Sequence, residues 1–251
     1  MADRLPVPYD DRNLTVGYGA PHRDESSLRA LICHTAQKVY RERFAVGLSG
    51  SISARLDATR ILITPPGVAF DYVQPDQILL LSVDSLNQEM APAHLLRGAA
   101  HHLEVYRQRP DAGGVIFAQP PTALALSIAG ISMRTCVVPE AVIVLGLVPT
   151  AAYHPPGSPE AREAVRALAP IHDAILFAHD GALTIGQDPL QALFKLELLE
   201  HTAGVLQRTA LLAPIPTLPP EQVSALLALR RQLGYWRPGD ETRFCEMCGV
   251  C

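Results

Sequence analysis

The sequence predicts an α/β domain in which a mixed or antiparallel sheet is flanked by helices. Two observations lead to this prediction. Hydrophobic residues make up 48% of the chain and charged residues 18%, which is the composition of a globular protein with a sizeable core. Short β-rich runs alternate with helix-length amphipathic segments, but irregularly, without internal repeats and without a strict strand–helix–strand rhythm.

The chain divides into an irregular Pro- and Gly-rich arm (1–25), one domain (26–233) and a polar, cysteine-containing tail (234–251). Helices are predicted at about 26–44, 92–109, 121–130, 158–168, 189–212 and 221–233. Strands are predicted within 47–56, 61–68, 77–84, 113–121 and 140–158, and 175–186 is predicted to form two. The fourth helix has the clearest start, with Ser158 as N-cap, Pro159 at the first position and Glu160 in the first turn.

Charge and hydropathy exclude several classes of partner. The net charge of −4 gives no electrostatic reason to expect nucleic acid or an anionic membrane. No apolar run reaches the roughly 18 residues that a membrane span needs. The first residues, MADRLPVPYDDRN, lack the segments of a signal peptide, so we expect a cytoplasmic protein.

The five cysteines fall into two groups. Cys33 and Cys136 lie in apolar contexts that are typical of buried packing residues. Cys245, Cys248 and Cys251 form a C-x-x-C-x-x-C cluster. In a reducing cytoplasm this spacing favours metal or redox chemistry over structural disulfides. The tail is therefore a candidate site for zinc or another soft metal, with an unstructured tail of reactive thiols as the alternative.

Several spaced segments, in the right order, resemble the class II aldolase/adducin family across roughly residues 26–212. They are GLSGSISARL (47–56), ILITPPGV (61–68), HLEVYRQRPDAGGVIFAQPPTALALS (102–127), EAVIVLGLVPTAAYHPPGS (140–158) and ILFAHDGALTIG (175–186). The resemblance implies a three-layer αβα fold with a mixed, mainly antiparallel sheet. It also implies a homotetramer with active sites between subunits, which C-terminal residues of a neighbour can reach.

The resemblance also implies where a substrate with an anionic group would bind. The family's T-S-G-N-I-S phosphate loop corresponds to Leu48–Ser53, with Ser51 at the asparagine position, and its T-P-S-G loop corresponds to Thr64–Gly67. The family's S-S-E, which includes a catalytic glutamate, aligns with Leu96-Arg97-Gly98, so the glutamate is absent. The implied substrate-binding residues are Ser49, Gly50, Ser51, Thr64, Gly67, Arg97, Tyr153 and His154.

The family's metal site is the most altered part. Its H-T-H pair corresponds to Phe117-Ala118-Gln119, and its N-H-G corresponds to His179-Asp180-Gly181. Phenylalanine offers no electron pair to a metal and a glutamine amide is a poor zinc ligand. We therefore expect no metal at the family site. His179, Asp180 and Gln119 are the candidate catalytic residues, because His179 next to a carboxylate could move protons and Gln119 could contact substrate.

Other readings of these residues stay open. His179-Asp180-Gly181 is also an ordinary turn sequence, and His101 and His102 are either structural or surface histidines or recruited ligands. Two functions compete. The first is a divergent lyase or isomerase acting on a small carbonyl or carboxylate substrate, without a cofactor that the sequence identifies. The second is a non-catalytic assembly or binding module, favoured by the lost histidines and glutamate.

Overall fold

The computed structural model describes residues 24–84 and 93–251, and the side chains of residues 93–98 are outside that description. The predicted N-terminal arm therefore lies outside the described residues, except for its last two positions. Arg97 is described only as part of a helix backbone.

Within the described residues, seven strands form one sheet. They are β1 Ser51–Arg55, β2 Arg60–Ile63, β3 Leu79–Ser82, β4 Gly114–Ala118, β5 Thr150–Ala151, β6 Ala174–Phe177 and β7 Gly181–Gly186. Their order across the sheet is β3-β2-β1-β4-β7-β6-β5. Every neighbouring pair is antiparallel except β5 and β6, which are parallel. The prediction of a mixed, mainly antiparallel sheet is confirmed.

The described helices cover both faces of this sheet. They are α1 Glu25–Arg41, α2 Ala93–Gln108, α3 Pro121–Ile128, α4 Pro139–Val144, α5 Pro159–Leu168, α6 Pro189–Ala210, α7 Pro220–Gln232 and α8 Asp240–Cys248, with a 3₁₀ helix at Pro75–Gln77. Helices α1, α3 and α6 share one buried cluster with the sheet, and α2 and α5 share another. The three-layer prediction is confirmed. None of the described helices is long and apolar enough to cross a membrane.

Side chains that alternate along the strands pack into two hydrophobic clusters, one on each face of the sheet. On β4, Val115 and Phe117 pack on the side of α2 and α5, whereas Ile116 and Ala118 pack on the side of α1 and α6. Successive strand residues point to opposite faces, so a central strand that is apolar throughout supplies both cores. This places Phe117 on the face that carries the candidate site.

The segment 140–158 differs from its prediction. Its apolar run was expected to form a strand, but residues 139–144 form α4 and only Thr150 and Ala151 pair with the sheet. Pro139 occupies the first turn of α4, where its fixed φ favours a helix and its missing N–H costs nothing. The predicted start of the next helix is confirmed, since Ser158 Oγ accepts a hydrogen bond of 3.1 Å from the Ala161 N–H.

The tail, for which the sequence predicts no helix, contains α8. This helix packs with α7 and α4 around a third buried cluster that includes Phe244. Arg230 of α7 is 1% exposed, and it donates to Asp240 Oδ2 at 2.9 Å and to the Ile143 carbonyl oxygen at 2.6 Å. The buried guanidinium therefore links all three helices.

The candidate metal site of the tail is not formed in this structure, because its three cysteines lie in disulfides. Cys248 forms a disulfide with Cys136, 112 residues away, and Cys245 forms one with Cys251. Packing of α8 against the α4 region brings Cys248 next to Cys136, and Gly249, at φ +67°, turns the chain back toward α8. Sulfur atoms held in disulfides are not thiolate ligands. Cys33 is free and buried, as predicted.

A buried ion cluster joins the sheet, α6 and the C-terminal segment. The Asp173 carboxylate is fully buried and accepts hydrogen bonds from Arg109 at 3.0 Å, Lys195 at 2.8 Å and Arg237 at 2.9 and 3.0 Å. Burial alone would raise the pKa of Asp173, but the positive charges of these three partners outweigh it and hold the pKa well below its usual range. Asp173 is therefore a permanent anion in this core.

Candidate functional site

Several separate segments close around a cavity of about 300 Å³ at the edge of the sheet. Its wall includes the loop before β1, the turn after β2, part of β3, part of α2, the end of β4 and the turn between β6 and β7. Seven of the site residues predicted from the sequence line it: Ser49, Gly50, Ser51, Thr64, Gly67, Gln119 and Asp180. The structure therefore brings most of the predicted site together.

Four predicted residues are not part of the described wall. His179 is exposed, with a left-handed backbone at φ 62°, and its ring meets the Tyr153 ring edge-on at 6.5 Å. Tyr153 is 52% exposed, and His154 is half-buried, outside the cavity lining. The side chain of Arg97 lies outside the described residues. His179 and Tyr153 contact each other rather than the cavity.

The loop that enters β1 requires a glycine. Gly50 has φ +92°, a left-handed conformation that side chains disfavour. A Cβ atom there would also lie 3.1 Å from the Phe117 carbonyl oxygen and from the Phe70 ring. Next to it, Ser49 Oγ donates to the Val46 carbonyl oxygen at 2.8 Å and accepts from the Val46 N–H at 3.0 Å. These bonds fix the loop at the cavity wall.

A hydrogen-bonded chain lies behind this loop. Ser51 Oγ is 2.7 Å from His102 Nε2, Ser53 Oγ is 2.6 Å from His102 Nδ1, and Ser53 Oγ is 2.9 Å from the Tyr106 hydroxyl. Burial, together with the neighbouring His101, lowers the pKa of His102 to about 3, so the ring is neutral near pH 7. His102 is thus a structural histidine, and it orients one of the predicted anion-binding serines.

The turn after β2 supplies a second hydroxyl. Thr64 is buried, and its Oγ1 accepts a 3.1 Å hydrogen bond from the Ile52 N–H. Because that bond uses a lone pair, the hydroxyl proton remains a donor that can serve a ligand. Gly67, at φ +78°, ends the same turn.

The residues at the family's metal positions do not fit a metal. Phe117 carries no donor atom. Gln119 uses its amide Nε2 to donate to the Asp180 backbone oxygen at 3.0 Å. Over the described residues no group of three or more His, Cys, Asp or Glu side chains is arranged to hold an ion. Of the three positions, Asp180 alone carries a strong ligand atom, and the absence of a metal at the family site stays an expectation.

An aromatic group occupies the space beside the altered metal corner. His101 stacks on Phe177 with ring centroids 5.0 Å apart and planes 9° apart, and Phe117 lies tilted at 5.4 Å from His101. Burial lowers the pKa of His101 to about 4. Its Nε2 atom is buried and has no hydrogen-bond partner within residues 24–84 and 93–251. A neutral imidazole ring therefore lines the cavity, while its unpartnered Nε2 atom is not exposed there.

The sequence pattern alone does not identify His101 as a residue of the cavity wall. His101 and His102 are adjacent on α2, and successive helical residues point about 100° apart. One of the two therefore bonds to Ser51 and Ser53 while the other lines the cavity. The His-His pair within an otherwise apolar helix face was the available signal, but the direction of each ring depends on how α2 lies on the sheet.

Asp180 is the titratable carboxyl group of the cavity wall. It is half-buried in the turn between β6 and β7, where its backbone N–H donates to the Phe177 carbonyl oxygen at 3.1 Å. Burial raises the pKa of Asp180 above its ordinary value. A carboxyl group with a raised pKa is better suited to exchanging protons near neutral pH than an ordinary surface aspartate.

Comparison with known proteins agrees with this geometry. Residues 30–206 match the family described as the class II aldolase and adducin N-terminal domain. The chain is 30% identical, over 71% of its length and 83% of the relative, to a 3-oxo-tetronate 4-phosphate decarboxylase of Cupriavidus necator. It is 28% identical, over 66% of its length and 88% of the relative, to an L-fuculose phosphate aldolase of Methanococcus maripaludis.

Solved structures give the same result. The L-fuculose-1-phosphate aldolase of Thermus thermophilus superposes with a TM-score of 0.66 at 25% identity, covering 76% of this chain and 98% of the other. The YgbL protein of Escherichia coli superposes with a TM-score of 0.72 at 25% identity, covering 80% and 98%. The fold, the order of the site segments and the sequence match agree, and this chain belongs to the class II aldolase and adducin N-terminal domain family.

Proposed function

We propose that this chain is a lyase that breaks a carbon–carbon bond next to a carbonyl group in a small substrate with an anionic group. One observation above all supports the proposal. A single cavity combines hydroxyl groups on a glycine-containing loop with a carboxamide and a half-buried carboxyl group whose pKa is raised. The relatives, a decarboxylase and an aldolase, belong to the same reaction class.

The anionic group is proposed to bind at the two loops. Ser51 and Thr64 place hydroxyl groups in the cavity wall, Ser49 holds the loop in place, and Gly50 and Gly67 let the backbone come close to a ligand. Hydroxyls and backbone amides can cradle an anion without a cation. Arg97 remains a proposed additional partner, because the family's phosphate-contacting segment aligns with it.

The chemistry is proposed to pass through an enolate. When a 3-oxo acid loses CO₂, the bond to the carboxylate carbon breaks and its electron pair moves into the neighbouring carbon–carbon bond and onto the carbonyl oxygen. Gln119 has a second amide N–H with which to stabilise that oxygen, and preorganised donors of this kind lower the barrier. Asp180 would return a proton to the carbanion carbon, which completes the exchange of CO₂ for hydrogen. No step is assigned to a metal, since the donor set does not fit one.

The first experiment measures CO₂ release from a panel of 3-oxo acids that includes 3-oxo-tetronate 4-phosphate. We expect turnover of at least one member, and a fall of about 10²- to 10⁴-fold in kcat for Asp180→Asn, because general acid–base groups contribute that much. Activity should persist after EDTA treatment. His179→Asn is the matched control: asparagine tolerates the left-handed backbone there, and the ring lies outside the cavity wall. Absence of turnover on every member, or full activity of folded Asp180→Asn, would overturn the proposal.

A binding module is the second candidate. The observation that favours it is Phe117, which places an apolar ring at a position where the family has a metal ligand. A module predicts that small anions raise the melting temperature although no 3-oxo acid is consumed. The same panel therefore separates the two functions.

The homotetramer implied by the family resemblance is also a proposal. Light scattering at micromolar concentration should give a mass near four chains of 27.1 kDa. A stable monomer would contradict the assembly and, with it, the expectation that neighbouring subunits share a site.

A further inference from the structure

One side of the cavity is built from hydrocarbon. Ile63 on β2 pairs with Leu79 on β3, and Leu81 follows two residues later on the same face of that edge strand. All three line the cavity, together with Ala99 of α2 and Phe117 of β4. Because side chains alternate along a strand, Leu80 points to the other face and is 44% exposed. The apolar wall, defined here as Ile63, Leu79, Leu81, Ala99 and Phe117, is therefore a continuous surface.

The apolar wall offers a ligand no hydrogen-bonding side-chain atom. Its five residues carry hydrocarbon side chains, and the neighbouring His101 ring lies flat on Phe177 with its Nε2 atom buried. A sugar phosphate has several hydroxyl groups, and each one buried without a partner costs free energy. This wall cannot satisfy any of them.

The proposed anion site and the apolar wall line the same cavity. The substrate's anionic group is proposed to bind at the two loops that carry Ser51 and Thr64, with Arg97 as an additional partner, and the apolar wall forms another side of the space. The cavity thus suits a ligand that is anionic at one end and hydrocarbon over the rest.

We propose that the substrate carries an alkyl or aryl group, packed against the apolar wall. This inference rests on the proposed lyase function and names its substrate class. The substrate would be a hydrophobic oxo acid and not a phosphorylated polyol. The exchange of a metal ligand for Phe117 then has a positive role, because the ring extends the surface on which the substrate packs.

Calorimetry with two probes of opposite character tests this substrate class. Phenylpyruvate has an aryl group and one carboxylate, whereas hydroxypyruvate phosphate is polar throughout. We expect phenylpyruvate to bind about tenfold more tightly or better, since burying roughly 55 Å² of apolar surface corresponds to a tenfold change in affinity. Equal affinity, tighter binding of hydroxypyruvate phosphate, or no binding of phenylpyruvate would overturn the inference.

Two neighbouring leucines provide a matched pair of variants. Leu81→Ser removes hydrocarbon from the cavity wall, and Leu80→Ser makes the same chemical change on the opposite face of β3. We expect Leu81→Ser to weaken phenylpyruvate binding by about fivefold or more and to leave hydroxypyruvate phosphate unaffected. Leu80→Ser should change neither. A Leu81→Ser protein with unchanged preference for phenylpyruvate would contradict the role of the wall.

The CO₂ assay keeps this inference separate from the lyase proposal. If the enzyme turns over 3-oxo-tetronate 4-phosphate faster than an aryl 3-oxo acid such as benzoylacetate, the lyase proposal stands and the apolar substrate class fails. If phenylpyruvate binds more tightly but no 3-oxo acid is decarboxylated, the wall is supported and the lyase reaction fails. The two proposals therefore cannot be mistaken for one another.

Discussion

Replacing Asp173 by asparagine should destabilise the protein strongly. The side chain is fully buried and accepts four hydrogen bonds from Arg109, Lys195 and Arg237. Asparagine has nearly the same shape, so little packing is lost. The charge is lost, however, and three cations then surround a neutral amide, with Lys195 only 2% exposed.

The size of the effect follows from this arrangement. Removing one partner of a buried ion pair typically costs about 3–5 kcal/mol, because the remaining charge is left without compensation. For a chain of this length each kcal/mol lowers the melting temperature by about 2–4 °C, so we expect a fall of about 6–20 °C. The cluster joins β6, α6 and the segment before α8, so its loss should lower the melting temperature of the whole domain.

Thermal unfolding followed by circular dichroism is the assay. Glu163→Gln is the matched control, because the Glu163–Arg166 pair at 2.7 Å is exposed on both sides and surface pairs contribute little. The pH dependence adds a second check. The pKa of Asp173 is lowered on folding, so its contribution is complete above about 3.8 and is lost as the pH falls further toward the folded-state pKa. The difference between wild type and Asp173→Asn should shrink in that range. An Asp173→Asn protein that melts with the wild type at pH 7 would refute the reasoning.

Three further predictions concern stability. Folding lowers the pKa of His101 to about 4 and that of His102 to about 3, below the ordinary 6.5. The free energy of unfolding, measured with urea, should therefore fall as the pH drops from 6.5 toward 4, by about 3 kcal/mol for His101 alone. A free energy of unfolding that does not change over this range would contradict the burial of the two rings. Reduction of the Cys136–Cys248 disulfide should lower stability by about 2–5 kcal/mol, because it closes a loop of more than a hundred residues, and a melting curve unchanged by dithiothreitol would exclude this bond. Gly181→Ala should cost about 1–3 kcal/mol, since the new Cβ would lie 2.4 Å from the Ala118 carbonyl oxygen; a urea midpoint equal to that of wild type would show that β4 and β7 can move apart.

The sequence predicted the parts of the fold that depend on local pattern. Alternation identified β1, short β-rich runs identified β4 and β7, and Ser158 followed by Pro159 located the start of α5. The apolar run that contains α4 was ambiguous, because a short buried helix and a buried strand have the same composition. The outcome there depends on packing against α7 and α8, which local sequence does not specify.

The candidate site likewise contains residues that the sequence could predict and residues that it could not. Residues on loops that match the family's motifs, such as Ser49, Thr64 and Asp180, could be assigned because the order of segments predicts where each loop lies. The disulfide between Cys136 and Cys248 could not be predicted, since spacing within the tail says nothing about a partner 112 residues away. His101 was underestimated because its role depends on the rotation of α2 about its own axis.

The hydrogen-bonded chain from Tyr106 through Ser53 and His102 to Ser51 has a direction as well as a geometry. A neutral His102 carries one ring proton, so it donates to one serine and accepts from the other. If Ser51 donates its proton to a bound anion, His102 must hold its proton on Nε2, Ser53 must donate to Nδ1, and the Tyr106 hydroxyl must turn to donate to Ser53. An anion in the cavity would then set the direction of every hydrogen bond in this chain, as far as the Tyr106 hydroxyl in the core. The tautomer of His102 would show whether the anion is bound.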